Sequence, residues 1–220
     1  MVTGRLRSPI CSDVMIEGIR DEVTGAVGEL ATHLTRAALD AGLDEILRSP
    51  ADHGRLELIV RRPASDEREV LEEGTLDLTL GLVGDNWKQK GSKTTPDGSA
   101  HPGRQLTLMN SRAATLVAGK SEHGGLAGDQ LYVDLDISQE NLPAGTRLVI
   151  GTAVIEVSDQ PHDGCSKFSA RFGLDALRLV NSELGRSLRL RGANALVVVP
   201  GVIRAGDTVT RARSSTSGGG

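Results

Sequence analysis

Between residues 13 and 47 the apolar positions Val14, Ile16, Ile19, Val23, Val27, Leu30, Leu34, Ala38 and Leu39 recur at intervals near three and four, with acids among them. That period gathers an apolar stripe on one face of a helix. Asp13 suits an N-cap, Gly42 interrupts the run, and Ser49-Pro50 stops it, since the residue before a proline is pushed out of the helical region. The pattern predicts one long and one short amphipathic helix in an N-terminal helical segment, residues 1–50.

After Pro50 the pattern shortens. Residues 56–62 (LELIVRR), 105–110, 130–137, 147–150, 153–157, 188–190, 195–199 and 208–210 are brief runs rich in Val, Leu, Ile and Thr, set off by Gly, Pro, Asn and Asp. Many short strands with turn signals predict a barrel or sandwich rather than repeated βαβ units. Two helices interrupt them, at 111–118 and about 167–181. Residues 88–104 (KQKGSKTTPDGSAHPGR) read as a long polar loop, of a kind that is often functional, and 213–220 as a flexible tail. Gly81-Leu82-Val83-Gly84-Asp85 is echoed by Gly125-Leu126-Ala127-Gly128-Asp129 and more weakly by Gly206-Asp207. Repeated turn chemistry accounts for the echo; a pocket rim built from the same corners is the second reading.

Composition narrows the classes. The chain is 38% apolar with 27 glycines, enough for a core joined by many tight turns. No run approaches the roughly 18 apolar residues of a membrane span, and the N-terminus lacks a secretory apolar core. The expected location is the cytoplasm. A net charge of −4 and four aromatics in all, Trp87, Tyr132, Phe168 and Phe172, offer neither the basic groove nor the stacking platforms that hold nucleic acid. Two cysteines, Cys11 and Cys165, make neither a disulfide framework nor an iron–sulfur site.

Phosphate-loop, dinucleotide, nucleophile-elbow and zinc-protease patterns are all absent. His162 and Cys165 form an H-x-x-C pair, too few ligands for structural zinc. The informative segment is 159–181 (DQPHDGCSKFSARFGLDALRLVN). Gln160 to Gly164 turns the chain after a strand, Cys165 follows, and a helix begins. A thiol at a helix start, with Lys167 and Arg171 close in sequence, is favoured as thiolate, which suits a nucleophile or a soft metal ligand. A buried structural cysteine beside Phe168 and Phe172 competes on even terms. Residues 188–191 alternate apolar and basic, so Arg189 and Arg191 face one side of a strand, as a solvated exterior or an anion-binding wall. Asn110 and Arg112 raise the same question at a strand–helix junction. Cys11 has no chemical company.

Together these residues resemble a MOSC domain, the module named after the C-terminal domain of molybdenum cofactor sulfurases. The resemblance rests on Gly125 to Leu131, Leu142 to Leu148, Ile150 to Val157, Gln160-Pro161-His162, Cys165, Lys167, Arg171-Phe172-Gly173, Pro200-Gly201 and Arg204 to Asp207. It implies an α+β, β-rich barrel with peripheral helices over residues 51–212. It also implies that Cys165 ligates molybdenum or carries sulfur as a persulfide. Arg189, Arg191 or Arg112 would hold a cofactor phosphate, with Lys167, Arg171, Asn110 and His162 as further binding residues. Some relatives reduce N-oxygenated compounds with a molybdenum cofactor. No PLP-dependent desulfurase domain accompanies the resemblance, so PLP is not implied, and an external reductase or sulfur donor is. The alternatives are a metal-free enzyme with Cys165 as nucleophile on a small-molecule substrate, and a non-catalytic sulfur carrier. Several relatives have proline before the cysteine, where this chain has Gly164.

Overall fold

The computed structural model describes residues 33–119 and 125–212. The expected helical stretch therefore lies partly outside the described residues, as does Cys11. Its described part forms two short helices, α1 (Arg36–Ala41) and α2 (Leu43–Leu47), which meet at Gly42 as the pattern predicts. Residues 33–35 are not helical, so the expected long helix does not run through Leu34; the Thr35 hydroxyl accepts from the Ala38 N–H and starts α1 afresh.

The centre of the fold is a closed barrel of seven strands. These are β1 (Gly54–Arg61), β5 (Leu106–Asn110), β6 (Leu131–Asp134), β7 (Arg147–Ile150), β8 (Ala153–Val157), β9 (Ala193–Val199) and β11 (Thr208–Arg211). They pair in the order β11-β7-β8-β9-β5-β6-β1, and the β1–β11 pairing closes the ring. A short β2 (Glu69–Leu71) adds to β1, and β10 (Gly201–Arg204), β3 (Glu73–Asp77) and β4 (Gly81–Leu82) make a small second sheet. Only β5 and β6 run parallel. Such a pair needs a crossover, and α4 (Ser111–Ala118) supplies it.

Alternation divides the apolar residues between two cores. Leu56, Leu108, Leu131, Val133, Ile155 and Val197 fill the barrel. The intervening Met109 and Tyr132 point outward and meet α4, α1 and the long α5 (Ser166–Val180) through Ala113, Val117, Leu39, Phe168, Phe172 and Leu179. The second core fixes α5, and with it Cys165, against the barrel wall. α5 is broken at Gly173, whose φ of +88° is open to glycine and strained for other residues.

One strand expectation fails. Residues 188–190 follow α6 (Glu183–Ser187) as turns, with N–H of Leu188 on Leu184 O and N–H of Arg189 on Arg186 O. Arg189 has φ +49°, so Arg189 and Arg191 do not share a strand face. The residues alternate apolar and basic, yet helix-type bonds had already claimed their backbone. β2, β3, β4 and β10 were not anticipated, being short or polar. Among the described residues no helix is long and apolar enough to cross a membrane.

Candidate functional site

Cys165 stands between β8 and α5, as the N-cap of that helix. The turn before it is held at both ends by asparagines. Asn194 of β9 donates to the carbonyls of Gln160 (3.2 Å) and Pro161 (3.0 Å). Asn181 at the far end of α5 accepts from the Gly164 N–H (2.8 Å) and donates to its carbonyl (3.1 Å). A proline at 164 would lose that N–H, and a Cβ there would stand 2.8 Å from Leu177 Cδ1. This chain thus fixes its turn by side-chain hydrogen bonds and not by a proline ring. The thiol is exposed. Burial pushes it up, but the N–H groups of Phe168 and Lys167 and the charges of Arg191 and Arg171 outweigh that and hold it below the ordinary thiol value.

The echoed Gly-Asp turns build the facing wall. Gly84 (φ +84°) and Gly128 (φ +93°) adopt the left-handed region, and each delivers an aspartate whose side chain is fully buried. Asp85 takes Arg62 in a two-pronged pair (2.8 and 2.9 Å), while Arg62 also donates to Gly128 O (2.9 Å). Asp129 takes Arg191 at 2.6 Å. Two buried carboxylates therefore aim two arginines, and the turn and rim readings of the echo both hold. In the third echo the Asp207 side chain accepts from the Arg204 N–H, a plain turn. Tyr132 braces the Asp129 turn: its hydroxyl accepts from the N–H groups of Gly128 and Asp129 (3.2 Å each) and donates to Gly125 O (3.1 Å). Burial pushes that phenol far up, so it stays a donor.

Arg191 joins the core to the site. Its guanidinium lies 5.3 Å over the Phe168 ring, which packs edge-on against Phe172 at 4.9 Å. Across Asp129, His162 Nδ1 lies 3.6 Å from the second carboxylate oxygen. Burial and the nearby Arg191 push His162 down to about 3 against the pull of Asp129, so the ring is neutral. Five buried polar atoms lack a partner among the described residues, and all five lie in side chains here: Nε of Arg68, Arg104 and Arg191, Asp129 Oδ1 and His162 Nδ1.

These groups surround a cleft of about 710 Å³ walled also by Trp87, which opens the short helix α3 (Trp87–Lys90), and by Lys90 and Lys93 of the polar 88–104 stretch. Arg62, Arg68, Arg104, Arg171, Arg191, Lys90, Lys93 and Lys167 face only two carboxylates there, Asp66 and Asp163. Asp66 is taken up by Lys167 (3.0 Å) and Arg171 (3.1 Å), Asp163 by Arg186 (3.1 Å). A chain of net charge −4 has thus gathered its cations at the thiol. A second cavity, about 430 Å³, shares His162, Asp163, Arg191 and Asn194 as its wall.

Of the sequence-stated candidates, Cys165, His162, Lys167, Arg171 and Arg191 come together in the cleft. Three do not. Asn110 caps α4 by accepting from the Ala113 N–H and is otherwise spent on Ser49 and Leu135. Arg112 is paired with Asp134 and Glu45 beside a different cavity. Arg189 turns back to the carbonyls of Ile137 and Leu142. Arg62, Arg68, Arg104 and Asp129 went unread as site residues; the Gly-Asp echo was the one signal that marked the last.

The MOSC domain model matches residues 97–210, which include the turn, Cys165, α5 and Arg191. No curated protein matches in sequence. Among solved structures, the YuaD protein of Bacillus subtilis superposes with a TM-score of 0.55 at 15% identity, covering 71% of this chain and 93% of that one. A hypothetical protein gives 0.53 at 22% identity, covering 75% and 71%. YiiM of Escherichia coli gives 0.48 at 22% identity, covering 72% and 70%. The first two share the fold, and the family model spans more than half of the sequence. The chain belongs to the MOSC domain family.

Proposed function

We propose that the cleft holds a phosphorylated molybdenum–pterin cofactor, with the Cys165 thiolate as the protein's ligand to the metal, for the reduction of small molecules. One observation carries the reading: an exposed, acidic thiol shares its cleft with three arginines whose Nε groups are buried and unpartnered among the described residues. A buried unpaired donor costs about 1–3 kcal/mol, so these arginines are set for acceptor oxygens that a ligand brings.

The donor set fits the group. Thiolate is a soft ligand suited to such metals, and guanidinium forks match phosphate oxygens. Among the described residues no three His, Cys, Asp or Glu side chains gather around a metal position, so most of the metal's ligands would come from the cofactor, with Cys165 as the soft ligand the chain adds. When bound, the cofactor supplies two-electron redox chemistry. The chain's own residues bind and orient: Arg191, aimed by Asp129, and Arg68 receive the phosphate, and the Phe168–Phe172 pair beneath Arg191 keeps water from its inner face. Electrons would come from an outside reductase, and N-oxygenated compounds are the substrate class in view.

The test is the metal content of the full chain expressed in cells supplied with molybdate. Stoichiometric molybdenum in the wild type, and its loss in Cys165→Ser with the fold kept, is the expected result. A wild type without molybdenum, or equal loading of Cys165→Ser, overturns the reading.

A further inference from the structure

Among the charged side chains that line the cleft, donors outnumber acceptors. Arginine and lysine donate only, and the wall carboxylates, Asp66 and Asp163, are already paired. His162 differs. Its Nδ1 and Asp129 Oδ1 lie 3.6 Å apart, both buried and both without another partner among the described residues. The other oxygen of Asp129 is taken by Arg191 at 2.6 Å.

A proton on Nδ1 lets the imidazole donate to Asp129 and satisfies both atoms with a small rotation of the ring. A lone pair there would set two buried acceptors face to face. The proton therefore belongs on Nδ1, and Nε2 keeps its lone pair. Since Nδ1 is buried, the 16% of this side chain that stays exposed lies on the rest of the ring, which lines the cleft and the second cavity beside it. Arg191 and His162 each meet one oxygen of the same carboxylate, and both line the cleft.

We propose that His162 makes the cleft selective for oxyanions that carry a proton. Nε2 accepts the O–H of a hydrogenphosphate-like group, while Arg191 and its neighbours donate to the unprotonated oxygens. The inference rests on the reading that this cleft binds an anion, and adds which kind. A site built to accept a ligand hydroxyl strongly rejects the analogue that lacks it, because the acceptor is then left facing a bare oxygen.

Inorganic phosphate and sulfate isolate the effect. In mildly alkaline buffer both are tetrahedral dianions of similar size, and phosphate alone carries a proton. Calorimetric titration of the full chain with each, at matched ionic strength, should show phosphate at least about tenfold tighter. His162→Ala should bring phosphate and sulfate to a common level, by weakening the first, relieving the second, or both. Equal or tighter sulfate binding by the wild type, or a preference that survives in His162→Ala, sinks the role of His162 alone. Absence of binding by either anion brings down the anion-cleft reading as well. Two-bond ¹⁵N–¹H spectra of the wild type give a check that needs no variant: a neutral ring protonated on Nδ1 is expected, and one protonated on Nε2 refutes the proposal.

Discussion

Replacing Arg191 by methionine removes the guanidinium while keeping an apolar stem over Phe168. The side chain of Asp129 is wholly buried and that of Arg191 is 9% exposed, with 2.6 Å between them. His162, the remaining neighbour of the carboxylate, is neutral. The variant leaves a buried charge with no counter-charge, a loss that costs about 3–5 kcal/mol, against at most about 1 kcal/mol for an exposed ion pair. Removing both partners, in Asp129→Asn/Arg191→Met, abolishes the stranded charge and should restore part of that loss. Urea unfolding followed by far-ultraviolet circular dichroism measures both, provided the slope with denaturant is unchanged. A loss below about 1 kcal/mol in Arg191→Met, or a double variant less stable than the single one, would show that Asp129 does not depend on Arg191.

Two further outcomes follow from the same wall. Because His162 is held near 3 in the folded chain and takes its ordinary value of 6.5 in the unfolded one, the unfolded chain binds a proton that the folded chain refuses. This stability is complete above about 6.5 and drains away toward pH 3 by up to about 1.4 kcal/mol per pH unit; His162→Ala should shallow the acid slope, and an unchanged slope would place the effect elsewhere. Tyr132→Phe leaves the Asp129 N–H without its side-chain acceptor and that of Gly128 with only the long bond to Gly125 O (3.4 Å), and should cost about 1–3 kcal/mol in the same unfolding assay, whereas a near-neutral result would mean the turn is held by its backbone alone.

What the sequence disclosed was local. The helix at 111–118 was legible to the residue, and the turn–cysteine–helix order around Cys165 could be read because caps, turn residues and helical period lie side by side in the chain. The assembly of the cleft was not local. Asp129 meets Arg191 across 62 positions and Asp85 meets Arg62 across 23, and neither separation leaves a period or motif. A net charge of −4 hid the cation-rich cleft, because an average over the chain says nothing of where each sign is gathered. At 188–191 the apolar–basic alternation misled, since the backbone bonds of the preceding helix, and not the side chains, decide where Arg189 points. Arg112 and Asn110 looked available because their partners, Asp134, Glu45 and Ser49, come from other parts of the chain.

The central claim is that the helix start and the cation-lined cleft hold the Cys165 thiol below its ordinary value, ready for a ligand. Its most direct test is the rate of alkylation of Cys165 by iodoacetamide against pH in the full chain, with peptide mass spectrometry separating it from Cys11. The midpoint should lie below the ordinary thiol value, and should rise when the charge of Arg171 or Arg191 is removed. A midpoint at or above the ordinary value, unmoved by either substitution, would contradict the account.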